Sequence, residues 1–141
     1  MKRLRWYIDA DTLGLAKILI QLRLDVTYPG DDGLRPHLRR ELSPCVVQDP
    51  ATKDEIWIPT VAKAGLAIIT RDRRIQDRVS EKDMVVASNA RMFAITSKEQ
   101  LDGWGLLEVV VSQWRAMENA AEEHGPFIYS MTRTSLTKIN L

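Results

Sequence analysis

Apolar residues in this chain fall into short blocks divided by charged runs, and the period of the blocks changes from one to the next. Leu4 to Ile8 is a compact apolar stretch that predicts a first strand. From Asp11 or Thr12 onward, Leu15, Ile18, Leu19 and Leu22 recur at i, i+3, i+4 and i+7, the spacing of one helical face. "DVTY" at 25–28 then predicts a second strand, completing a β-α-β unit. "PGDDGLRPHLRRELSP" interrupts the pattern with prolines, glycines and charges of both signs, and predicts a long loop over 29–50. Asp54 to Gly65 reads as a helix with Trp57, Val61 and Ala64 facing inward and Gly65 at C′, and Pro59 places Asp54 at or near its amino end. Leu66 to Thr70 is apolar throughout until its last residue, as suits a central parallel strand. "RDRRIQDRVSEKDMVVASNA" is polar and predicts short helices, and Arg91 to Ile95 predicts a fourth strand. Ser97 and Gln100 match a capping box, after which a long helix over 98–124 carries Leu107, Val110, Trp114, Met117 and Ala121 on one face. "HGP" ends that helix, and the tail "FIYSMTRTSLTKINL" is β-like, in the manner of an edge strand.

The resulting order, β-α-β-loop-α-β-α-β-α, predicts an α/β fold with a central, mostly parallel sheet of about four strands. The length of 141 residues accommodates one domain over 1–141 with a single core. A formal net charge of +1 places any nucleic-acid contact on a local basic patch, since the molecule as a whole has almost no charge to offer. Cys45 is the only cysteine, so no internal disulfide forms, and a reduced cytoplasmic setting fits; a small buried hydrophobe is its expected role, with a nucleophile as the alternative. The amino-terminal "MKRLRWYIDAD" is basic, but Asp9 interrupts its apolar run too early for a signal peptide, and no window approaches the ~20 apolar residues of a membrane helix.

Two of the predicted strands run into carboxylates. "WYIDAD" ends the first strand on Asp9 and Asp11, and "IITRD" ends the third on Thr70 and Asp72. In parallel sheets ligands bind at the carboxyl ends of strands, where Asp9 and Asp72 converge if the two strands are neighbours. Taken singly, Asp11 or Asp54 reads as a helix N-cap and Asp72 as a turn residue. Taken together, crowded carboxylates repel one another, and a hard divalent cation such as Mg²⁺ is the natural relief. The two histidines and the one cysteine have no zinc-ligand spacing. Around the acids lie Arg71, Arg73, Arg74 and Arg78, and in the loop lie Arg35, His37, Arg39 and Arg40. Such runs form solvated faces, and beside an acidic centre they also suit phosphates.

At these residues the sequence resembles the PIN domains, and most of all the compact PIN-like group of VapC-type toxins. The stretches that carry the resemblance are "WYIDADTLGLAKIL", "DVTYPGD", "DPATKDEIWIPTVAKAGLAIITRDRRI" and, more weakly, "GPFIYSMTR". It implies a three-layer α/β/α fold and a Mg²⁺- or Mn²⁺-dependent endoribonuclease. Asp9, Asp54 and Asp72 would then be catalytic and metal-binding, Asp11 a further ligand, and Thr70 a support. Arg71, Arg73, Arg74, Arg39 and Arg40 would bind RNA. An antitoxin protein is the partner it brings; a homodimer is a separate expectation that the resemblance does not carry. The chain departs from that pattern where PIN domains carry another acid on a helix between the first and third of these positions; Glu41 and Asp49 are the candidates there. Arg74 stands where some members have another acid or polar group.

Two other functions compete. A haloacid-dehalogenase-type phosphatase is approached by "DADTL", but Leu13 stands where its signature needs Thr or Val. A PIN-like module that binds without cleaving is the other, motivated by the missing acid.

Overall fold

The computed structural model describes residues 3–141, so Met1 and Lys2 of the basic amino terminus lie outside it. Among the described residues eight strands and four α-helices follow one another: β1 Trp6–Ile8, α1 Leu13–Leu19, β2 Val26–Thr27, β3 Leu34–Arg35, β4 Arg40–Glu41, α2 Asp54–Lys63, β5 Ala67–Arg71, α3 Val79–Ser88, β6 Arg91–Ile95, α4 Gly103–Ala120, β7 Phe127–Met131 and β8 Leu136–Lys138. Six of the strands make one sheet in the order β2-β1-β5-β6-β7-β8. All its pairings are parallel except that of β7 with the edge strand β8. The sheet is thus wider than the four strands that the apolar blocks predict. The tail supplies two strands, not one, because Phe127, Ile128 and Met131 bury against both helical layers.

One apolar cluster lies on each face of the sheet. Alternate residues of β1, such as Trp6 and Ile8, face the layer of α1 and α4, with Leu15, Leu19, Val109, Val110 and Met117. Tyr7 faces the opposite way, toward Trp57, Ile58 and Val61 of α2 and Val85 of α3. That is a three-layer α/β/α arrangement, and it follows from the period of two in a strand set against helices on both sides.

Several local expectations give way to packing. α1 stops at Leu19, so Leu22 falls in the turn before β2 and is 82% exposed; the buried face is Leu15, Ala16 and Leu19. The capping box at Ser97 does not form. Asp102 caps α4 instead, accepting a bond from the Gly105 amide, so the helix begins five residues later than predicted. α2 keeps its expected bounds, with Pro59 inside it and Gly65 just beyond its cap at φ +78°. The 29–50 loop is ordered by a short hairpin, β3-β4, and by a fully buried ion pair in which Arg35 Nη2 lies 2.7 Å from Asp31 Oδ2. Cys45 is buried, and burial pushes its thiol up, as suits a packing residue. Among the described residues no helix is long and apolar enough to cross a membrane.

Candidate active site

From β1 the chain crosses to β2 on one side, and β5 then takes its place on the other side of β1. The strand order therefore reverses between β1 and β5, and their carboxyl ends form the crevice that such a switch point leaves open. Ile8 pairs with Ile69, and the Asp9 amide donates to the Ile69 carbonyl at 2.9 Å. Asp9 and Thr70 are in this way side by side. An open cleft of about 720 Å³ starts here, walled by Asp9, Asp11, Asp54, Asp72 and Glu81 and rimmed by Arg71, Arg73, Arg74 and Arg78.

Asp9 turns the chain out of β1. Its Oδ1 accepts from the Ala10 amide at 2.6 Å, capping a single 3-10 turn over Ala10–Thr12, and its Oδ2 accepts from Thr70 Oγ1 at 2.9 Å. The same hydroxyl lies 3.3 Å from Asp11 Oδ2. Thr70 is buried and holds the two carboxylates in fixed directions. Burial raises the pKa of Asp9, and its bonds to Thr70 and Ala10 oppose that rise. The Asp11 carboxyl, at the cleft wall, is pushed up to about 7 by the surrounding protein and then by Asp9.

Asp54 reaches the same rim through α2. It is the first residue of the helix and does not cap it; its Oδ1 accepts from Trp57 Nε1 at 2.8 Å. The Trp57 ring stacks on Tyr7 of β1 with centroids 5.2 Å apart, which ties the start of α2 to the top of β1. Asp72 leaves β5 with its amide bonded to the Ile95 carbonyl. Its Oδ1 accepts from the Arg74 amide, and its Oδ2 lies 2.7 Å from Arg78 Nε.

Glu81 was not legible as a site residue. It sits in the first turn of α3, where an acid is ordinary because it complements the helix dipole. The packing of α3 beside α2 brings it into the cleft. Its carboxyl is pushed up to about 7, by burial first and then by the charges of Asp72 and Asp54. Pro50 and Thr52 also line the cleft without a sequence signal.

The basic candidates separate. Arg71 is half-buried and donates to the Leu101 carbonyl, whereas Arg73 and Arg74 are exposed and, among the described residues, have no ion-pair partner. Arg39 and Arg40 lie outside the cleft, at the β3-β4 hairpin, which His37 Nε2 attaches to the Ile20 carbonyl at the far end of α1. Glu41 is exposed on that hairpin, and Asp49 accepts from the Ala51 amide in a surface turn; neither lines the cleft.

All the acidic donors in the cleft are hard oxygens, the chemistry that Mg²⁺ or Mn²⁺ takes, and both His37 and Cys45 stand elsewhere. Among the described residues no three His, Cys, Asp or Glu side chains form a ready-made cage for an ion. An open cleft of this kind suits a cation that keeps several of its waters and takes only one or two carboxylates directly.

Comparison with known families matches residues 15–97 to the PIN like domain. The match spans more than half of the chain and includes Asp54, Thr70, Asp72 and Glu81; Asp9 and Asp11 precede it. No curated protein and no solved structure matches the chain. Domains of this kind have a nuclease-type fold and are generally hydrolases of nucleic acid. The sheet with its switch point at Asp9 and Asp72 agrees with the sequence match, and this chain belongs to the PIN like domain family.

Proposed function

We propose that this protein is a divalent-metal-dependent endoribonuclease whose active site is the cleft above β1 and β5. The observation that carries the reading is the convergence of Asp9, Asp11, Asp54 and Asp72, from three separate parts of the chain, on one rim edged with arginines. Asp9 and Asp11, held by Thr70, and Asp54, held by Trp57, are the residues that would bind Mg²⁺ or Mn²⁺. Such an ion, when bound, polarises a phosphodiester and lowers the pKa of attacking water. The protein's own part is to fix the direction of its carboxylates and to keep the phosphate backbone in register. Arg73 and Arg74 hold phosphates at the mouth, and Arg71, braced on Leu101, holds one nearer the acids. Asp72 would face the same cation, and its pair with the exposed Arg78 fixes the direction of its carboxylate.

The choice of RNA over DNA, a toxin role and a cognate antitoxin are supported by the resemblance of "WYIDADTLGLAKIL" and its companion stretches to VapC-type proteins, and a cytoplasmic site of action by the single cysteine. The lack of a helix-borne acid in the 29–50 segment favours a second reading, a domain that binds nucleic acid without cutting it.

One experiment separates these readings. Purified protein is incubated with a panel of structured RNAs and matched DNAs, with Mn²⁺, Mg²⁺ or EDTA. Cleavage of RNA that needs the metal and is lost in Asp9→Asn supports the nuclease. Metal-independent binding without cleavage supports the silent module, and full activity in Asp9→Asn removes the cluster from the chemistry.

A further inference from the structure

The 29–50 segment, where PIN domains would have another acid on a helix, contains no α-helix here. It folds into a hairpin, and the two acids considered for that role, Glu41 and Asp49, are exposed and do not line the cleft. The cleft nevertheless contains a carboxylate beyond Asp9, Asp11, Asp54 and Asp72. Glu81 reaches it from the other side of Asp72 in the chain, on α3, which packs against the helix that presents Asp54. It is only partly exposed, and arginines stand on the same rim, yet among the described residues it makes no ion pair. Arg78, one helical turn before it, is taken by Asp72. Its carboxyl instead lies within hydrogen-bond reach of Asp72, and two carboxyls that close repel each other unless a proton or a cation stands between them.

We infer that Glu81 completes the acidic set of this site, supplying from α3 the cation-holding carboxylate that the 29–50 segment lacks. The inference rests on the proposed metal-dependent reading. Placement in space, not order in the chain, determines which acids meet an ion, and α3 brings Glu81 to the side of the cleft shared by Asp72 and Asp54.

The test is Mn²⁺ binding to the intact protein, by calorimetry and by the electron paramagnetic resonance of free Mn²⁺, with thermal unfolding as a second readout. Glu81→Gln is expected to weaken Mn²⁺ binding by roughly ten- to a hundredfold. It should also shrink the Mn²⁺-induced rise in unfolding temperature without lowering the metal-free value at pH 8. Glu81→Asp should recover part of the affinity, and Glu41→Gln and Asp49→Asn should match the parent. A purely structural glutamate would instead lower the metal-free unfolding temperature and leave affinity alone. If Asp9→Asn weakens Mn²⁺ binding and a folded Glu81→Gln does not, Glu81 is not part of the set and the nuclease reading stands. If the parent protein binds no Mn²⁺, the metal-dependent reading fails and this inference fails with it.

Discussion

Metal-free protein should lose stability as pH rises from about 5 to about 8, a direction opposite to ordinary acid denaturation. Glu81 and Asp11 both have carboxyls pushed up to about 7, from ordinary values of 4.5 and 3.8. Below about pH 4 both are protonated in the folded and the unfolded chain, and their contribution is fully present. Between there and about pH 7 the unfolded chain gives up protons that the folded chain retains, so each step upward costs the folded state stability. Moving Glu81 from 4.5 to about 7 corresponds to about 3 kcal/mol at most. The group is partly open to the cleft, and so is Asp11, so solvent screening reduces this to about 1 kcal/mol for each. Together they amount to about 2 kcal/mol, or about 1 M in a urea midpoint for a slope near 2 kcal/mol/M. The two groups interact through Asp9 and Asp72 and will titrate as a set, so the transition is broader than that of one group. Urea unfolding in EDTA at several pH values measures the parent against the Asp11→Asn/Glu81→Gln double variant. The double variant should be more stable than the parent at pH 8, equal to it near pH 4, and almost flat between. Addition of Mn²⁺ at pH 8 should restore the parent and not the variant. Parallel profiles for the two proteins would refute the argument, because the cleft acids would then not be the source of the strain.

Three further outcomes follow from single contacts. Thr70→Val removes the hydroxyl that donates to Asp9 Oδ2, so metal-dependent cleavage should fall about tenfold and the acid limb of its pH profile should move to higher pH, read from rates between pH 5 and 9. Arg73→Ala with Arg74→Ala should flatten the slope of log affinity against log salt by about 1.4 for single-stranded RNA, with equal losses across sequences, as measured by filter binding. Asp31→Asn leaves Arg35 buried without its charge partner, and urea unfolding should show a loss of about 3 kcal/mol or more while the remaining folded protein binds Mn²⁺ normally.

Much of the fold was legible because most elements announce themselves locally. The apolar block ahead of Asp72, the C′ role of Gly65 and the span Arg91–Ile95 depend on near neighbours in the chain, and the structure keeps them. Asp9 and Asp72 could be placed together from the sequence, since adjacent parallel strands bring their carboxyl ends to one rim. Elements whose bounds depend on distant partners were less legible. Leu22 has helical spacing but lies beyond the end of α1, and Ser97 has a capping pattern, yet α4 starts from Asp102. Arg73 and Arg39 are equally basic in sequence, and only the hairpin, docked at the far end of α1 through His37, keeps Arg39 and Arg40 from the cleft. Glu81 is the clearest case. Its place in the first turn of α3 made it an ordinary helix-dipole acid, and only the packing of α3 beside α2 turned it toward Asp72 and Asp54. Periodicity and strand ends are properties of neighbouring residues, so the sequence by itself determined the α/β order and most of the acidic rim. Which side chains share that rim depends on long-range packing, and only the tertiary structure decided it.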